Sequence, residues 1–257
     1  MKKIYILSAI LALLSYGSGA ATPESEKYCK LALEQVVKGE LQTTKEGKRE
    51  AFGKGIEYAA KAIEADPGNP DAYMWHCANI GRECQTHSLF DQAAALPAMT
   101  ADLTTILDKL GRTDYSPAWQ ALAEIYFNHP MRSNDTALNF MRKSLEDIPA
   151  GESRLSSYLL FAKELSKRGW SASKRASVMA QNSVAFKKQY SSNIDKYSYY
   201  DGAGSKPAWA GKAVSSMSDK EEAVAVLEYA IKIYNSCGSA QEKGALAAAN
   251  ELLKKLK

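Results

Sequence analysis

The side chains best suited to chemistry gather in one short stretch: His76, Cys77, Cys84 and His87. On a continuous helix Cys84 and His87 share a face, with Cys77 two turns away on the same side. Thiolates and imidazoles are zinc ligands, but this spacing matches none of the closed tetrahedral sets, and no metal is assigned. The other use of thiols is cross-linking. Cys29, Cys77, Cys84 and Cys237 form an even set with three complete pairings open to them. Helical geometry puts Cys77 and Cys84 about 10.5 Å apart, beyond the roughly 7 Å between Cα atoms that a disulfide spans. One of them is therefore expected to reach Cys29.

Other reactive groups are sparse. The chain has three histidines, and His129 before Pro130 reads as a cap at a helix end. There is no phosphate-binding glycine loop, no dinucleotide fingerprint, no zinc-protease His-Glu-x-x-His and no Cys-x-x-Cys. The acid pairs Glu221–Glu222 and Glu146–Asp147 read as solvated helix faces. Met74, Met99, Met131, Met141 and Met179 read as core filler. No catalytic residue and no cofactor is assigned.

Composition places these residues in an ordinary folded protein: 257 residues, 46% apolar, 24% charged, formal net charge +4. Residues 1–20 have the layout of a secretory signal peptide: Lys2 and Lys3, an apolar stretch from Ile4 to Leu14, then Ser18-Gly19-Ala20. The stretch falls short of the roughly 20 residues that span a bilayer. Cleavage after Ala20 would remove two lysines and leave +2, too little charge for a nucleic-acid binder. No later apolar run could insert stably in a membrane. The expectation is an exported protein, periplasmic or secreted.

The elements that must position these residues are helices. Apolar residues recur at three- and four-residue spacing, as in Ile56, Ala59, Ala60 and Ile63, and again in Val224, Leu227, Ala230 and Ile231. Thr22-Pro23, Asn69-Pro70 and Ser116-Pro117 set a capping side chain before a first-turn proline. Ser218 with Glu221, and Ser239 with Glu242, have capping-box spacing. Pro149-Ala150-Gly151 marks a helix stop. Helices are predicted near 24–38, 45–65, 71–85, 98–110, 117–128, 134–147, 153–168, 172–188, 208–217, 219–236 and 240–256. No strand is expected. The tyrosine-rich stretch 190–207 lacks a period and reads as a long surface loop, either a connector packed on adjoining helices or a lid over a ligand.

Trp119, Leu122, Ala123 and Tyr126, followed by Ala137, Leu138, Met141, Ser144, Leu145 and Pro149, have the order of a two-helix repeat over 116–149. Gly55, Tyr58, Ala59, Ala62, Ile63 and Pro67 lead in the same way into Tyr73, His76, Cys77 and Ile80. On these residues the chain resembles the tetratricopeptide-repeat family, clearly over 50–150 and loosely over 153–257. The resemblance implies an all-α fold of stacked helical hairpins, an α-α superhelix, as one domain over 21–257. In architecture and compartment the chain is also similar to the T-component family of TRAP transporters.

In such repeats the first helix of each pair lines a concave groove. The groove positions here would be Met74, Ala78 and Arg82, then Gln120, Glu124, Phe127 and Asn128. The implied function is non-enzymatic capture of a protein or peptide partner. The alternative is a periplasmic accessory of a solute transport system that binds a small molecule, with the tyrosine-rich stretch closing over it.

Overall fold

A computed structural model describes residues 21–128, 133–148, 152–203, 205–237 and 242–257. The expected signal segment 1–20, the His129 cap, Met131, the 149–151 stop and Ser239 lie outside the described residues, as does the side chain of Cys237. Every regular element among the described residues is helical, and none is a strand. The fold is all-α, of the helical-repeat kind. No described helix is long and apolar enough to cross a membrane. The chain divides into two compact units, 1–130 and 131–257.

The first unit holds α1 (Pro23–Leu41), α2 (Lys45–Ala65), α3 (Pro70–Cys84), α4 (Leu89–Thr104) and α5 (Ser116–Asn128). Thr22 and Thr44 cap the first two helices, each accepting a backbone N–H three residues on. Helices α1 to α4 pack in sequence order, each chiefly on the next. Small residues make this possible: Ala32, Ala59 and Ala62 are fully buried, and Gly39 leaves its space to the Phe52 ring. A polar pin ties three helix ends together. Asn69 donates to Ser25 Oγ at 2.9 Å, and Ser25 donates to the Ala62 carbonyl at 2.9 Å.

One helix begins earlier than its sequence predicts. A start near 98 is predicted, but α4 runs from a Ser88–Asp91 capping box straight through Pro97. Proline removes one donor, and the helix absorbs that loss. A π-helical turn, Thr105–Lys109, then ends α4.

The second unit holds α6 (Asn134–Glu146), α7 (Leu155–Arg168), α8 (Ala172–Phe186), α9 (Asn193–Tyr197), α10 (Asp219–Cys237) and α11 (Lys243–Leu256). Here neighbours in sequence are not the main neighbours in space. Helix α10 returns past α8 and α9 to pack on α7, and α11 covers both. Leu155, Phe161, Ala162 and Leu165 of α7 and Ala223, Val226, Leu227 and Ala230 of α10 are buried. The row of hairpins stacked in strict order therefore does not extend through this unit. The helix predicted at 208–217 is reduced to a 3-10 turn at Val214–Ser216. The stretch 190–207 carries short α9, and its rings pack: Phe186 lies 5.4 Å from both Tyr197 and Tyr200.

Candidate functional site

The residues expected to line a groove are placed otherwise. Met74, Ala78, Arg82, Gln120 and Glu124 are all buried, and Phe127 and Asn128 are half-buried. Arg82 pairs with Glu40 at 2.7 Å. Gln120 donates to Glu124 Oε1 at 2.9 Å, and Asn128 donates to the Glu124 carbonyl at 2.8 Å. These groups hold the unit together and are not set out on an open face. The small residues that fit the repeat pattern bring the helices so close that the positions meant for a ligand become interior.

The expected disulfide is not formed. Cys29, Cys77 and Cys84 are buried free thiols. Cys29 lies beside Asn69, which precedes α3, with Asn69 Nδ2 3.6 Å from its sulfur. Cys77 and Cys84 stand about two and four turns further along α3, out of reach. Burial pushes the Cys29 thiol up to about 12 and the Cys84 thiol up to about 11. It pushes Cys77 well above its usual value too. Thiols held protonated are poor metal ligands and poor nucleophiles. The two nearby histidines have carboxylate partners: His76 Nδ1 is 2.8 Å from Asp102, and His87 pairs with Glu83. Among the described residues no three metal-ligating side chains come together.

The site with the most concentrated chemistry lies in the second unit, around the first turn of α10. Helix N-termini favour anions, and this turn carries Asp219, Glu221 and Glu222. Glu221 faces out and completes a capping box with Ser218. Glu222 and Asp219 are completely buried, which corrects the reading of Glu221–Glu222 as a solvated pair. Three helices aim arginines at them. Arg142 from α6 grips Glu222 with both terminal nitrogens. Arg175 from α8 lies 2.7 Å from Glu222 and 3.3 Å from Asp219. Arg168, at the end of α7, donates twice to Asp219, at 2.7 and 2.8 Å. Trp209 Nε1 donates to Glu222 at 3.2 Å.

Burial alone would raise the Glu222 carboxyl. The arginines, with the Trp209 hydrogen bond, outweigh it and draw the group down to about 2. Two buried carboxylates thus face three guanidiniums, and the partly exposed Asp135 adds a third carboxylate 3.4 Å from Arg168.

Beside this network opens a narrow cleft whose enclosed space, about 20 Å3, is that of roughly one water. It is lined by Arg142, Arg168, Arg175, Trp170, Asn182 and Asp201, among others. Arg168 stacks over the Trp170 ring at 4.1 Å. Of the tyrosine-rich stretch only Asp201 lines the cleft, and the stretch is fastened to α6. Asn139 donates to the Ser198 carbonyl at 2.7 Å, Tyr200 donates to Glu146, and Ser205 donates to Glu146 at 3.1 Å. Glu146 is therefore a fastening point and not a solvated face. Gly202 adopts a left-handed φ of 73°, and a Cβ there would come within 2.7 Å of Arg142 Cδ, so only glycine lets the stretch approach so closely.

Three polar atoms of this site are buried without a hydrogen-bond partner among the described residues: Arg142 Nε, Arg175 Nε and Asp201 Oδ2. Their side chains are at most 6% exposed. Burial raises the Asp201 carboxyl above the usual range, against the pull of Asn182, the Ala203 N–H and Arg142. Buried polar atoms left bare cost free energy. No protein-family model, curated protein or solved structure matches the chain.

Sequence reasoning missed this site. The one available signal was positional: Arg142 keeps step with Leu138, Met141 and Leu145, and all four are buried.

Proposed function

We propose that this chain is a non-enzymatic, exported binding protein that takes a small polar solute into the arginine cleft of its second unit, as an accessory of solute transport. The observation that carries the reading is the cleft of the second unit, where Arg142, Arg168, Arg175 and Asp201 converge beside Trp170. Ligand sites combine a concave surface with a few convergent polar groups, and this cleft has both. Export rests on the layout of residues 1–20. Of the positions named for a protein-binding groove, Met74, Ala78, Arg82, Gln120 and Glu124 are buried, and Phe127 and Asn128 are half-buried.

The test is a thermal-shift and calorimetric screen of the chain lacking residues 1–20 against carboxylates, inorganic phosphate, amino acids and polyols. A solute that binds only the folded state raises the melting temperature. Val178 lines the cleft and is half-buried, so Val178→Trp should keep the fold and abolish the shift. A panel with no effect on the wild-type chain overturns the reading.

A further inference from the structure

Charge is divided unevenly along the chain. Residues 131–257 carry twenty lysines and arginines against thirteen acids, a net of +7, whereas residues 21–130 carry eleven against sixteen, a net of −5. A modest total thus conceals one basic unit and one acidic unit, and such asymmetry points to a charged partner. The excess gathers around α8. From 165 to 194 the sequence holds Lys167, Arg168, Lys174, Arg175, Lys187 and Lys188, and no acid in thirty residues. Arg175 turns inward to Glu222, while Lys174, Lys187 and Lys188 are exposed. Among the described residues none of these three lysines joins an ion pair. Acids close by are engaged with other cations: Asp135 with Arg168, Glu164 with Lys167, and Glu221 with Lys212. Asp195, the first acid after the stretch, is exposed on α9, next to the half-buried Lys196.

The same face has an apolar part. At roughly 3.6 residues per turn, Val184 points directly away from the buried Arg175 and Met179, and it is 66% exposed. Beside it Tyr190 donates to the Ala185 carbonyl at 2.9 Å, and its ring lies 5.8 Å from that of the exposed Tyr199. At the other end of α8, Lys174 stands over the half-buried Trp170 ring at 4.6 Å. Lysines favour anionic headgroups, tyrosine and tryptophan settle at headgroup level, and an exposed aliphatic side chain reaches the acyl boundary. A nucleic acid would match the lysines and leave Val184 in water. We infer that the outward face of α8, with Tyr199 beside it, docks on a bilayer rich in anionic phospholipid, resting on the surface without crossing it. The inference is independent of the solute reading, and a cleft that binds nothing leaves it intact.

The test is co-sedimentation of the chain lacking residues 1–20 with vesicles of phosphatidylcholine alone, or with about a third phosphatidylglycerol. Binding to the anionic vesicles should exceed binding to the neutral ones at least ten-fold and fall as salt is raised. Lys187→Gln with Lys188→Gln should weaken it about twenty-fold. Val184→Ser should weaken it about three-fold and leave its salt dependence unchanged. Lys30→Gln with Lys45→Gln makes the same charge change at exposed positions of the first unit and should leave binding within about two-fold. Thermal melts confirm that each variant is folded. Equal binding to both vesicles, binding to neither, or equal losses from the two lysine pairs overturns the proposal. Analytical ultracentrifugation without vesicles supplies the remaining outcome. Self-association that the Lys187 and Lys188 changes abolish gives the face to the acidic surface of a second copy, and the membrane reading falls.

Discussion

The two units solve the same problem, burying helix faces, with opposite materials. In the first, alanines and glycines let α1, α2 and α3 close on one another, and the Phe52 ring occupies the space that Gly39 leaves free. Apolar contact between those helices follows sequence order, with polar groups such as Ser25, Asn69 and Arg82 taken into the interior as well. The second unit draws α6, α7 and α8 onto the first turn of α10 through three arginines and two carboxylates. Buried ion pairs add little net stability, because desolvation offsets much of the attraction. What they impose is geometry, and the price is fragility when one partner is removed. A cleft lined by fixed arginines arises in the unit built that way.

The contrast is sharpest in Glu222→Ala. The change strands the Arg142 and Arg175 guanidiniums in the interior and should cost about 3–5 kcal/mol. Urea denaturation measures this, and a loss under about 1 kcal/mol would dissolve the distinction between the units. Phe52→Ala in the first unit should cost a similar amount, about 3–5 kcal/mol, through an unfilled cavity. The two losses should differ in their response to acid. The Glu222 carboxyl falls to about 2 on folding from a usual 4.5. Its contribution is present above about pH 4.5 and disappears as pH drops toward about 2. In the first unit, burial raises the Asp102 carboxyl against the pull of His76. Protonation there relieves a penalty. Amide signals of α7 and α10 should thus collapse on acidification before those of α1 and α2, and simultaneous loss would contradict the picture.

The smallest expected effect has the opposite sign. Asp201 has a raised carboxyl, so its ionised form weighs against folding once pH exceeds its folded-state value. Asp201→Asn should therefore stabilise the chain at neutral pH, by on the order of 1 kcal/mol or less, read as a modest rise in melting temperature.

Local patterns in the sequence carried the helices. The caps at Thr22 and Asn69 are where Thr-Pro and Asn-Pro place them, and the Ser218–Glu221 box forms as its spacing predicts. The 98–110 prediction leaves out the first two turns of α4, although Ser88 and Asp91 already mark the true start. The site was not legible for a different reason. Glu222 beside Glu221 looks like any charged helix face, and one residue of difference turns one acid outward and the other inward. Its partners Arg142 and Arg175 belong to other helices, and no periodicity within one helix reports on another. Met74, Ala78, Arg82, Gln120 and Glu124 are interior through the same property that made the repeat pattern readable, since small neighbours bury what lies between them.

The pair formed by Arg142 and Glu222 joins residues 80 apart in the chain. During synthesis from the N-terminus, the Arg142 guanidinium emerges long before its counter-ion. The helices of the first unit find their partners as they appear, while α6 to α8 must wait for α10 before their arginines can leave water. Distant contacts of this kind slow folding, so the second unit is the later one to mature and the one exposed longest to proteases and to premature association.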